Sequence, residues 1–334
     1  MRKIHALLFV LAMLTGLVGF ATTQPTTNVQ AASSANDLLS ALPASDAVVF
    51  VDAQKILNDT LPTVLANRQD IMSKIRKELD KAKNEIGIDP NTIESAALGI
   101  SFKSKLSGEN VVVIVRGRFD SNTAIDSGFA AAEKKGKVKR QEIIYEGRTI
   151  HYLKRAGTTN KSEADLNNET AVLVIDSNTV AVSDVKGIRA TIDAAMGRNK
   201  VNDELVALAT RNSSALISFS GNVKAINDLG MNFGGNGKEL LEGVNQFYGA
   251  LWANGTDNLE GQLTLRTDTG EQANNLRDAL NGFKILFSGF GSKDREAAII
   301  KDILKGITIE AMGNEVDIKG KVSMSNIGLI VDML

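Results

Sequence analysis

The chain has no cysteine in 334 residues. That excludes disulfides, thiolate metal sites and cysteine nucleophiles. It also excludes a lipid anchor built on an N-terminal cysteine. Histidine is almost as scarce, with His5 and His151 alone. Past the N-terminus, a histidine triad or histidine metal site would have to use His151. Aromatic residues make up 5% and Trp252 is the single tryptophan, which gives little support to a carbohydrate-binding surface lined with exposed rings. A dominant charge is missing too. The 38 basic and 39 acidic residues are interleaved, so there is no basic footprint to neutralise phosphates, and nucleic acid is not an expected partner. Long hydrophobic runs are lacking everywhere except at the start.

There, Arg2 and Lys3 precede an apolar run from Ala6 to Ala21, followed by small residues. This is the layout of a secretory signal peptide. The run is broken by Thr15, Gly16 and Gly19 and is short for a membrane span, which needs about 20 apolar residues; an uncleaved N-terminal anchor is the alternative. Cleavage fits after Ala21 or after Ala31. The expected organisation is a signal peptide over 1–31, a polar spacer over 32–45, a first half over 46–212 and a second half over 213–334. Losing Arg2 and Lys3 with the leader leaves 36 basic against 39 acidic residues, a net of −3. An exported chain of this size without disulfides points to a bacterial protein, periplasmic or secreted. The mature length suits one large or two ordinary domains.

Along the chain, Ala47–Val51 (AVVFV) reads as a short strand closed by Asp52 as a helix N-cap. Ile71, Ile75, Leu79, Ala82 and Ile86 share one face of a helix over 68–86. Hairpins are expected over 97–115, 142–153 and 171–183, with helices beginning at Asp120 and Asp184. After a further strand at 215–219, helical patterns run over 223–229 and 238–247. A hairpin follows over 249–266, then helices over 271–287 and 294–305. A last hairpin spans 307–321 before a terminal helix over 326–334. Both halves read strand, helices, hairpin, helix, hairpin, helix, which predicts an internal duplication. The expected fold class is α+β: two related halves of antiparallel hairpins with helices packed on them, as two sheets or one continuous sheet.

Several local patterns suggest chemistry. Ser183-Asp184-Val185-Lys186 matches the S-x-x-K of serine acyl-transfer enzymes, but no S-D-N or K-T-G accompanies it; helix capping explains the same residues. Gly234-Gly235-Asn236-Gly237-Lys238 fails as a phosphate loop, because Glu239 stands where Ser or Thr would hold magnesium. The oxygen-rich Asn254–Glu260 stretch lacks calcium-loop spacing. His151 sits in a strand, sharing a face with Thr149 and Leu153. Arg116 and Arg118 end a Val-rich strand beside a helix N-terminus, where an anion can bind, unless Asp120 takes that place. Phe283, Phe287 and Phe290, like Met231–Gly235, set apolar groups beside glycines and are candidate contacts for an apolar ligand, a membrane or a partner. No cofactor or metal is expected.

The segments Leu42–Ala47, Gly117-Arg118-Phe119-Asp120, and Tyr145-Glu146-Gly147 leading into Ile150-His151-Tyr152 give the chain a further character. On them it resembles a class of exported bacterial proteins without an assigned activity, mainly over its first half. The resemblance implies an envelope or secreted location and brings no catalytic residues. The expected function is non-enzymatic binding or scaffolding in the cell envelope. A carrier of apolar ligands and a serine hydrolase centred on Ser183 and Lys186 are the alternatives.

Overall fold

Five residues set the centre of the molecule. In the computed structural model, Val48 and Phe50 of β1 (Ala47–Val51) point into one core cluster, with Leu38, Leu39, Ile114 and Ile188. Val49 and Val51 point to the other side, against Ile56, Leu61 and Ile71. A strand buried on both faces has no reason to alternate in polarity, which explains its unbroken apolar sequence. The structure describes residues 29–66, 68–86, 89–102, 109–136, 138–155, 166–223, 243–254, 258–289 and 304–323. The predicted leader up to residue 28, the Gly234–Lys238 loop, Met231–Gly235, Phe290 and the predicted helix over 326–334 lie outside them.

β1 pairs antiparallel with β2 (Ile93–Phe102) on one side and with β8 (Ile217–Asn222) on the other. Beyond β2 come β3 (Glu109–Gly117), β7 (Thr179–Asp184), β6 (Thr170–Asp176), β5 (Arg148–Arg155) and β4 (Val138–Tyr145). Beyond β8 come β9 (Val244–Asn254), β10 (Asn258–Thr267), β12 (Glu315–Ser323) and β11 (Thr308–Met312). Among the described residues the result is one open, antiparallel sheet of 12 strands. The fold is therefore α+β, and of the two expected arrangements it is the continuous sheet. Outward from the β1–β8 seam the order is β2-β3-β7-β6 on one side and β9-β10-β12-β11 on the other. The β4–β5 hairpin is additional to the first side.

Helices cover both faces. On the Val48 side lie α1 (Val29–Ser40), α5 (Val185–Ala195) and α6 (Asp203–Ala209). On the Val49 side lie a π-helical turn (Lys55–Thr60) running into α2 (Leu61–Val64), then α3 (Gln69–Ile86), α4 (Ser121–Lys135) and α7 (Gly270–Gly289). The starts are capped as their sequences require. Asp120 accepts from the Thr123 N–H, Asp184 from Gly187 and Asn202 from Glu204. Each such cap satisfies one of the orphan donors of a first turn.

Three expectations need correcting. The polar spacer over 32–45 holds most of α1, and Leu38, Leu39 and Leu42 are fully buried. Its surface is polar, but Leu38 and Leu39 of α1 and Leu42 just past its end are enough to dock it, each contributing about 1.5–3 kcal/mol. The helix expected up to Phe247 cannot extend that far, because Val244–Phe247 belongs to β9, where Phe247 lies opposite Gly221 and Leu265. Pairing partners distant in sequence override a local helical pattern. The short α6 went unread, being too brief for its periodicity to stand out.

An open sheet has two edges that must not recruit other strands. β11 is only five residues long. On β4, the Arg140 N–H donates to Glu133 Oε1 of α4 at 2.7 Å, and the Arg140 carbonyl accepts from the Gln141 side chain at 2.9 Å. Those two side chains occupy backbone groups that a foreign strand would use.

Candidate functional site

The β7–α5 junction holds the one motif that suggested catalysis. Ser183 is 3% exposed, and its hydroxyl donates to the Val111 carbonyl of β3 at 2.8 Å. Asp184 caps α5 through the Gly187 N–H at 2.6 Å. Lys186, two residues into the helix, is exposed. Ser183 thus ties a strand end to the sheet interior, while the amine that would activate it faces water. A nucleophile needs a base within hydrogen-bond reach and access for substrate; here the hydroxyl is spent on a backbone carbonyl.

His151 lies on β5 under α4, as strand alternation predicted, on the face of Leu153 and Thr149. Its Nδ1 is 3.0 Å from Glu142 Oε1 and 3.0 Å from an Arg140 guanidinium nitrogen. The imidazole meets Phe129 edge-on at 6.3 Å, and Arg140 lies over the same ring at 5.2 Å. Arg140 also pairs with Asp126 at 2.5 Å. This is a clamp between α4 and the β4–β5 hairpin. Among the described residues, no group of three or more His, Asp or Glu side chains is arranged to hold a metal ion.

The two arginines at the end of β3 part company. Arg118 is exposed, lies 3.7 Å from Glu94 and reaches the Asn91 carbonyl. Arg116 is half-buried and its Nε donates to Thr179 Oγ1 at 3.3 Å. The helix N-terminus beside them is occupied by Asp120, whose carboxyl is held below its usual range chiefly by the Thr123 N–H. The two guanidinium groups therefore do not converge on that helix end. Phe283, on α7, is 42% exposed, with Ile285 beside it at 73%. Phe287 belongs to the same helix.

One extended polar network among the described residues is not legible in the sequence. Arg211 contacts the Tyr248 hydroxyl and stacks over its ring at 4.6 Å. Tyr248 donates to Glu315 Oε2 at 3.0 Å, and Arg266 grips Glu315 Oε1 through two nitrogens at 3.1 Å each. Arg266 continues to Glu204 at 2.8 Å and Gln246 at 2.9 Å. Burial pushes the Tyr248 phenol above its ordinary range. The network joins α6 to β9, β10 and β12. Its only trace in the sequence is polar residues at alternate positions of strands whose register is not legible locally. A nearby cleft, lined by Ala35, Phe50, Thr210 and Ser218 among others, has room of about 10 Å³, that of a single water. That room is too small for an apolar ligand.

No protein-family model matches the chain, and no curated protein matches it in sequence. One solved structure, crystal form I of TP0453, is similar over 89% of this chain and 97% of that one, at 9% identity and a TM-score of 0.42. A likeness of that size carries no argument about function.

Proposed function

We propose that the chain is an exported protein of the bacterial cell envelope, periplasmic or secreted, that works by binding or scaffolding. One observation supports binding over catalysis: the Ser183 hydroxyl, the nucleophile offered by the S-x-x-K motif, is buried and bonded to Val111 while Lys186 faces solvent. Export rests on the pattern from Arg2 to Ala21. A carrier of apolar ligands is a second reading, favoured by the exposure of Phe283 and Ile285 on α7. We also infer an internal duplication with halves at 46–212 and 213–334, supported by the matching strand orders on either side of the seam. Superposing β1-β2-β3-β7-β6 on β8-β9-β10-β12-β11 by a single rotation tests it.

The deciding experiment is native mass spectrometry of the chain purified from the envelope fraction of a bacterial host. A bare protein, or one with a protein partner, is expected. A retained mass of lipid size would replace the scaffold reading with the carrier. Recovery of an unprocessed chain in the cytoplasm would overturn export. Labelling of Ser183 by a fluorophosphonate would restore the hydrolase.

A further inference from the structure

Arg116 sits in the middle of three strands. Ser95 of β2 lies directly opposite it on one side and Thr179 of β7 on the other, so the three side chains share a face. Thr179 is 1% exposed and Ser95 5% exposed. Arg116 spends one of its five N–H donors on a neutral hydroxyl, Thr179 Oγ1. It meets no carboxylate among the described residues. Arg118, Arg140, Arg198 and Arg266 each reach one. The Ser95 hydroxyl is buried with no hydrogen-bond partner. A half-buried guanidinium without a counter-charge and a buried hydroxyl without a bond are both costly, and here they are cross-strand neighbours. One group satisfies both: a small oxyanion, bound in the fork of the guanidinium and accepting from Ser95. The incomplete burial of Arg116 leaves it an approach from solvent.

The geometry points to an oxyanion site at Arg116 and Ser95, for the carboxylate or phosphate group of a ligand; the Thr179 hydroxyl, which accepts from Arg116 and donates to Asn178 Oδ1 at 3.3 Å, holds the guanidinium in place. The site stands whether or not the protein is a scaffold. The test follows the Arg116 Nε–Hε resonance by two-dimensional NMR of the mature chain during titration with sodium phosphate and, separately, sodium acetate at constant ionic strength. A saturable shift with either probe is expected. Saturation by phosphate alone assigns a phosphate ligand, and saturation by acetate alone a carboxylate. Affinity, read from backbone shifts near Ser95 and Thr179, falls about tenfold or more in Arg116→Gln. It falls about fivefold in Ser95→Ala, which removes only an unbonded hydroxyl and keeps the test alive should Arg116→Gln unfold. Arg118→Gln leaves it unchanged. No saturation with either anion, or the parent's affinity retained in Arg116→Gln or in Ser95→Ala, overturns the site.

Discussion

If Ser183 is a packing residue, its space is shared with Gly187, one turn into α5, and the two positions must be coupled. A Cβ on Gly187 would overlap Ser183 Oγ outright, and would lie 2.9 Å from Ser183 Cβ and 3.1 Å from Val112 Cγ2. Rotating the hydroxyl away breaks its bond to Val111 and still leaves the Cβ contact, so α5 must move. Without that conflict, Gly187→Ala would stabilise the helix by about 1 kcal/mol, the intrinsic preference for alanine over glycine. With it, overpacking reverses the sign, and a net loss of about 1–3 kcal/mol is expected. In a Ser183→Gly background both clashing atoms are gone and Val112 Cγ2 is the remaining neighbour. There Gly187→Ala should cost less than about 1 kcal/mol or nothing. The coupling energy of the cycle is then positive, up to about 3 kcal/mol. Urea unfolding followed by far-ultraviolet circular dichroism, and by the fluorescence of the buried Trp252, measures all four proteins. A neutral or stabilising Gly187→Ala in the wild-type background, or a loss unchanged by Ser183→Gly, would refute the packing role of Ser183 and with it the main support for the binding reading.

Three further outcomes follow from the same structure. Leu39→Ala, deleting a fully buried side chain of α1, should cost about 2–5 kcal/mol in urea unfolding; a cost near zero would return 32–45 to a spacer. Glu133→Ala uncovers the Arg140 N–H on the β4 edge and should give an apparent mass that rises with concentration in light scattering, where the parent's does not. Burial raises the Asp52 carboxyl above its ordinary value near 3.8, so the folded state holds that proton more tightly than the unfolded one. The stability this confers is present in acid and lost as pH rises through the raised value. Asparagine caps as well as aspartate, so Asp52→Asn should gain on the parent as pH rises from the ordinary carboxylate value through the raised one; a gap that narrows with pH would contradict the shift.

Much of the fold was legible locally because the signals were local. The Val and Phe run at 47–51, the Asp120 and Asp184 caps and the tight turns of the hairpins each involve residues within a few positions of one another. Glu146 and Gly147, both at positive φ, fold the β4–β5 hairpin without reference to the rest of the chain. The candidate site was far less legible. Arg116 and Arg118 are two residues apart, yet one looks across the sheet to Thr179 and the other lies beside Glu94. The strand ends between them, and strand alternation no longer relates their directions.

By itself the sequence determined the α+β class, the chemistries closed to a cysteine-free chain with one internal histidine, and the positions of most strands and helix starts. These depend on composition and on contacts near in sequence. Only the tertiary structure decided that the strands join in one sheet about the β1–β8 seam and that α1 belongs to the core. It also decided that Ser183 is consumed by Val111, that Tyr248, Arg266 and Glu315 meet, and that Ser95 faces Arg116. Each of those depends on strand register, which is fixed by the simultaneous burial of many residues far apart in the chain.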